Sequence, residues 1–195
     1  DWACLVARVA DYPTIGTGLG YLYNSSLPQM VLVILLLGAL GREAELHRFL
    51  TVGILAMILA VGFWWLFPSI GPSAYTSLPE GIAARIGLTT TPEYGTRLMD
   101  MVQNGLPVIR PEVINGVIAF PSYHIIMALM VAWFSFRTIL FLPLALASLC
   151  MIPAALSHGG HHLLDLAGGL IVFLSCLWMT NRMVRAPNLT PYEND

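Results

Sequence analysis

Four of the five histidines fall in two short polar islands, Phe120-Pro121-Ser122-Tyr123-His124 and Ser157-His158-Gly159-Gly160-His161-His162-Leu163-Leu164-Asp165. His161 and Asp165 stand four residues apart where an apolar segment begins, so on a helix they share one face. A carboxylate placed there can accept the proton of one imidazole nitrogen, fix the tautomer and leave the other nitrogen as a nucleophile or base. The alternative is a buried pair that only tethers helices, since structural ion pairs also occur. In either case an acid inside an apolar helix is costly unless partnered. In the first island Pro121 suits the first turn of a helix, where its missing N–H would be unpaired anyway. Ser122 can cap that helix or offer its hydroxyl, the free amides of the helix start favour an anion, and His124 lies in the first turn. This is a phosphate cradle with an acid beside it, or, taken alone, an ordinary Pro-Ser helix start.

Both islands need a scaffold, and composition describes one. The chain is 57% hydrophobic and 10% charged, with mean hydropathy +0.74, whereas a soluble domain carries roughly a quarter charged residues. An all-α, polytopic transmembrane helix bundle is expected, forming a single membrane-embedded domain over 1–195. Its core is expected at 20–183, with an outer loop at 68–120 and a polar tail at 186–195. Nine arginines and no lysine face eleven acids, with a net charge of −2 that is not concentrated in any run. Nucleic-acid binding therefore has no support. Cys4, Cys150 and Cys176 are scattered and read as small core hydrophobes, not as a disulfide framework or thiolate metal site.

Five apolar segments are candidate spans: 27–40, 49–67, 121–136, 138–156 and 162–180. The second ends on Trp64-Trp65, an interfacial aromatic pair. The long interruption between the second and third is rich in Pro, Gly and Thr, with a short helix expected around 92–104, and long loops of this kind tend to carry function. Arg42 and Arg48 follow the first segment, Arg137 the third, and Arg182 and Arg185 the fifth. With five spans these positions share one membrane face, which the positive-inside rule makes cytoplasmic. The long loop, both islands and residues 1–24 then share the other face. That arrangement suggests an interfacial helix before the first span, or six spans in a complete protein.

The Pro-Ser-x-His of 121–124 followed by the His-x-x-x-Asp of 161–165 resembles the type 2 phosphatidic acid phosphatase superfamily. In detail it resembles the inositolphosphotransferase-type branch, which includes inositol phosphorylceramide synthase. That branch has Gly-Gly-His-aromatic-x-x-Asp and then small residues. Here Gly159-Gly160-His161-His162-Leu163-Leu164-Asp165 is followed by Leu166-Ala167-Gly168-Gly169, with His162 where tyrosine is usual. The stretch Phe67-Pro68-Ser69-Ile70-Gly71-Pro72-Ser73-Ala74-Tyr75 is similar to the same branch.

The resemblance implies a metal-independent, cofactor-free phosphoryl transfer in two steps. His161 would attack phosphorus, Asp165 would orient it, and His124 would protonate the leaving alkoxide. Water or an alcohol would then take the phosphoryl group, with positioning and cations supplying most of the catalysis. Lipid phosphates at a bilayer are the implied substrates, and a bacterial inner membrane with the site facing the periplasm is the implied location. The family's upstream lysine is missing, since Gln103 stands seven before Arg110-Pro111, and its Ser-Arg pair is replaced by Ala154-Ala155. Arg85, Arg97 and Arg110 are the arginines of the outer loop, and Arg110 is the first choice of phosphate clamp. Ser122, Tyr123, Tyr75 and His158 are further candidates for substrate contact. Tyrosines at this level can equally be interfacial anchors. His162 is expected to pack or meet headgroups, and His47 to be a polar loop residue.

Two other classes compete. His158, His161, His162 and Asp165 have the chemistry of zinc ligands, although a helix does not easily aim His161 and His162 at one ion. His124 and His161 could instead serve as axial haem ligands in a binding or transport protein, which would leave Ser122 and Asp165 unexplained.

Overall fold

The computed structural model describes residues 1–90, 96, 99–101, 103–105 and 118–184, and among these there are helices and turns but no strand. Wholly within the described residues the helices are, in order, α1 (Trp2–Ala10), α2 (Pro13–Asn24), α3 (Ser26–Ala39), α4 (Glu43–Leu66), α5 (Ile82–Ile86), α6 (Tyr123–Phe134), α7 (Phe141–Ser157) and α8 (Leu163–Val184). A 3-10 turn, Pro72–Ala74, lies between α4 and α5. In the outer loop residues 96, 99–101 and 103–104 are helical, within the stretch where a short helix is expected. Arg97 and Arg110 lie outside the described residues.

Local chemistry explains the breaks. Pro13 opens α2 at its first turn. α2 and α3 meet at Ser25 with a bend of 54°. Pro28 cannot donate to the Asn24 carbonyl four residues earlier. The hydroxyls of Ser25 and Ser26 instead bond back to the carbonyls of Leu22 and Tyr23, each at 2.7 Å. α4 begins with Glu43 and Glu45 in its first turn, where negative charge suits the helix dipole.

α6 is the axis of the bundle. It packs against α3, α4, α7 and α8, while α2 runs along α7, and α1 and α5 close one end. The main core joins Val33 and Leu37 of α3, Phe49 and Val52 of α4, Ile126 and Met130 of α6, and Phe173 and Cys176 of α8. Outside this core the chain stays apolar: Ile54, Ile58 and Trp65 on α4 and Ile171 and Leu174 on α8 are exposed. A helix apolar on every side is a membrane helix, so the fold is an all-helical membrane bundle. In lipid, association rests on close packing and interhelical hydrogen bonds more than on hydrophobic transfer.

By length and composition α4 and α8 can cross a bilayer, and α2 with α3 makes a third candidate if the bent pair is one span. α6 and α7 are apolar but have 12 and 17 residues, below the roughly 20 that a straight span needs. The five spans expected from hydropathy thus become two or three by this criterion. The third hydropathic segment counted the non-helical Pro121-Ser122 and the turn after Phe134 as helix. Of the arginines expected at one face, the described ones share one end: Arg42 Nη1 donates to the Phe136 carbonyl at 3.1 Å, Arg48 bonds Asn181, and Arg137 and Arg182 are their chain neighbours, while Arg185 lies outside the described residues.

Candidate active site

At the other end four stretches far apart in sequence are stitched together. The Ser69 hydroxyl accepts from the Phe120 N–H at 2.8 Å and faces the Phe120 carbonyl at 3.5 Å. This joins the segment after α4 to the first island, whose Phe120–Pro121 bond is cis. The Ser122 N–H then donates to the Asp165 carbonyl at 3.0 Å, joining the first island to the second. Gly168 and Gly169 make that approach possible. A Cβ on Gly169 would lie 2.7 Å from the Ser122 carbonyl oxygen, and one on Gly168 would overlap the Phe120 ring.

The second island turns sharply between α7 and α8. Gly160 adopts φ +57°, in the left-handed region that glycine enters without steric cost. Its carbonyl oxygen sits against Gly71, so a Cβ at residue 71 would run into backbone. Gly71→Ala is accordingly expected to separate the two loops. Purified protein should lose several degrees of melting temperature, because the clash is with backbone that has no rotamer to yield. An unchanged melting curve would show that the loops are not packed this closely.

His161 and Asp165 do meet. Nδ1 of His161 lies 3.5 Å from Oδ2 of Asp165, and both side chains are almost wholly buried. The same oxygen accepts the His162 N–H at 2.8 Å, so Asp165 also caps the start of α8. At 3.5 Å, Nδ1 makes an ion-pair contact but no aligned hydrogen bond. Catalytic hydrogen bonds are often long in the absence of substrate and tighten when it binds. With Nδ1 turned to the carboxylate, Nε2 is the nitrogen left for chemistry.

His124 stands across from this pair. Its ring centroid is 6.1 Å from that of His161 and inclined at 57°, close enough for one tetrahedral group to touch both. Tyr23 of α2 stacks on the His124 ring at 3.9 Å and 20°, fixing the imidazole plane. The Ser122 hydroxyl is fully buried and has no hydrogen-bond partner among the described residues. An unmet buried hydroxyl is costly and is a ready contact for a phosphate oxygen.

The remaining candidates go elsewhere. His158 is fully buried. Nε2 faces the Ile86 carbonyl at 3.3 Å, and Nδ1 faces the Ser157 hydroxyl at 3.0 Å. Since a carbonyl only accepts, the neutral ring carries its proton on Nε2. Burial lowers its pKa below the ordinary value, opposed in part by the Ile86 bond. Its own carbonyl accepts from both the N–H and the hydroxyl of Thr90, at 3.1 and 2.5 Å. His158 is therefore a latch between α7 and the segment after α5. Tyr123 points its hydroxyl at the Gly53 carbonyl of α4, 3.3 Å away, one residue and about 100° around the helix from His124. Tyr75 is 71% exposed at the end of the 3-10 turn. His162 and Arg85 are exposed. Among the described residues no group of three His, Cys, Asp or Glu is placed to hold a metal ion, and His158 and His162 do not face His161 as the zinc alternative requires.

Tyr23 and Thr90 are parts of this end that sequence reasoning missed, and Ser69 stands out in the sequence only as part of the 67–75 stretch. Tyr23 gives no local signal, because a tyrosine near a bilayer surface reads as an anchor. Gly16 and Gly20 did carry one: small residues four apart mark close packing. A Cβ on Gly20 would lie 3.0 Å from the His158 ring.

The apolar helical bundle defines an integral membrane protein. The chain matches the model of the PAP2 superfamily over residues 1–179 and belongs to that family. No curated protein and no solved structure matches it. The matched stretch includes α1 and α2 as well as the helices that carry the two islands. Family membership makes the chain a relative of phosphatases and phosphotransferases.

Proposed function

We propose that the protein is a lipid-phosphate phosphatase or phosphotransferase that works through a phosphohistidine on His161. The observation that carries this reading is the placement of the His161–Asp165 pair opposite His124, beside the unmet hydroxyl of Ser122. Nε2 of His161 attacks phosphorus while the bond from phosphorus to the alcohol oxygen breaks. The proton on His124 goes to that oxygen, and Asp165 stabilises the imidazolium that develops. In the second step water or an alcohol attacks the phosphoryl-histidine, gives its proton to His124 and frees His161. Ser122 and the amides at the start of α6 face the phosphoryl oxygens. Arg110 is the proposed clamp for their remaining charge, and no step calls for a metal.

A cavity of about 410 Å³ between α7 and α8, over the face of α6, supports a lipid substrate. Its lining includes Ile125, Ala128, Ser148 and Leu166, and so begins beside His124 and Asp165. A hydrocarbon tail there leaves the phosphate at the histidines. The arginine-rich end is assigned to the cytoplasm, which puts the site at the periplasmic or outer face of a bacterial inner membrane. The similarity of 67–75 and 159–169 to the inositolphosphotransferase-type branch supports an alcohol such as inositol as an acceptor alongside water.

A product assay decides. Purified protein is offered phosphatidic acid, lysophosphatidic acid and isoprenyl phosphates, with and without inositol. Release of inorganic phosphate identifies a phosphatase, and phosphorylated inositol a transferase. No turnover of any of these lipids, with vanadate having no effect on binding, would overturn the reading.

A further inference from the structure

The end of the bundle opposite the histidines contains a second cavity, of about 570 Å³, around the start of α4 and the α6–α7 turn. Its polar wall is Arg42, Glu45, Arg48 and Arg137, and Trp133 and Phe136 are part of its apolar wall. The charges are unequal. Glu45 pairs with Arg42, which leaves Arg48 and Arg137 with no carboxylate among the described residues. Arg48 donates to the neutral Asn181 side chain, while its Nε is buried with no hydrogen-bond partner. Among the described residues Arg137 has no side-chain hydrogen bond or ion pair, and it holds φ at +63°, a region uncommon for a residue with a Cβ.

Guanidinium groups remain charged at any physiological pH, and their fork of N–H donors suits the oxygens of a phosphate. A buried N–H on a cation is costly to leave unmet. Two uncompensated arginines around one cavity therefore call for an anion with several acceptor oxygens. The occupant must also be partly apolar. Trp133 and Phe136 are 53% and 54% exposed, and Leu129 and Ala132 line both this cavity and the apolar one between α7 and α8. A free inorganic anion would leave that apolar wall uncovered.

We propose that this cavity is a binding site for an anionic phospholipid, with the headgroup phosphate between Arg48 and Arg137 and an acyl chain over Leu129 and Ala132. Arg137 lies beyond the end of α6 at Phe134, which is itself a rise of about 15 Å from His124 along the helix, so a headgroup held there is a resident and not a substrate. Basic pockets between membrane helices are known to take anionic headgroups in this way.

The test is lipid retention by the purified full chain in neutral detergent, read by native mass spectrometry and by melting temperature. Phosphatidylglycerol is expected to be retained at least about tenfold better than phosphatidylcholine and to raise the melting temperature. Glycerol 3-phosphate and inorganic phosphate are expected to give no such rise. Arg48→Gln should reduce retention about tenfold or more, as loss of a charged hydrogen bond implies. Arg137→Gln, at an exposed residue without bonds to lose, should do the same with an unchanged melting temperature in lipid-free detergent. His161→Asn should leave retention intact. Retention unaffected by Arg137→Gln, or abolished by His161→Asn, would overturn the proposal. An equal rise with inorganic phosphate would overturn the lipid assignment by showing a simple anion site.

Discussion

Replacing His161 by alanine is expected to lower the rate of phosphoryl transfer by at least about 10⁴-fold, because the nucleophile is lost and not merely misplaced. The acid-labile phosphoenzyme should vanish with it in protein that still folds, since Asp165 keeps its bond to the His162 N–H when the ring is gone. Wild-type turnover in His161→Ala would sink the mechanism. Asp165 allows a finer version. Its Oδ2 both approaches His161 Nδ1 and caps the His162 N–H. Asp165→Asn keeps an oxygen for the cap but loses the charge that stabilises an imidazolium. It should therefore lower turnover by about 10²–10⁴-fold with stability largely kept. Asp165→Ala should lose the cap as well, at about 1 kcal/mol. If the pair only tethers helices, both variants lose stability together and turnover follows stability.

The second large effect is expected at His124 and depends on the leaving group. With an alkyl phosphate the departing alkoxide needs a proton, and His124→Ala should lower turnover by about 10²–10⁴-fold, the usual worth of a placed general acid. With p-nitrophenyl phosphate the departing phenolate is stable unprotonated, and the loss in the first step should fall to about tenfold or less. Equal losses on both substrates would remove His124 from proton transfer and leave it a phosphate contact. The Tyr23 stack makes this comparison informative, since it holds the imidazole plane whichever substrate is offered.

Much of the fold was legible because hydropathy reports environment directly: 57% apolar residues imply lipid around the helices. Element ends were less legible. The segment 121–136 is apolar throughout, but α6 begins only after Pro121-Ser122, whose backbone is committed to α8. The 3-10 turn Pro72–Ala74 and α5 were not anticipated, because short helices are set by their contacts more than by periodicity.

In the site, the same division follows sequence distance. His161 and Asp165 share a face by helical geometry alone, and the chain by itself determined that pair, its position at the start of an apolar helix, and the collection of arginines at the far end. Tertiary structure decided which other groups join it. Ser122 is tied to Asp165 by a backbone hydrogen bond, Tyr23 reaches His124 from about a hundred residues away, and Gly71 meets the Gly160 carbonyl only because residue 71 lacks a Cβ. It also decided that His158, an equal candidate by composition, turns Nε2 to the Ile86 carbonyl of α5 and Nδ1 to its neighbour Ser157. Local spacing fixes which side chains can face one way; only packing between distant segments fixes what they face.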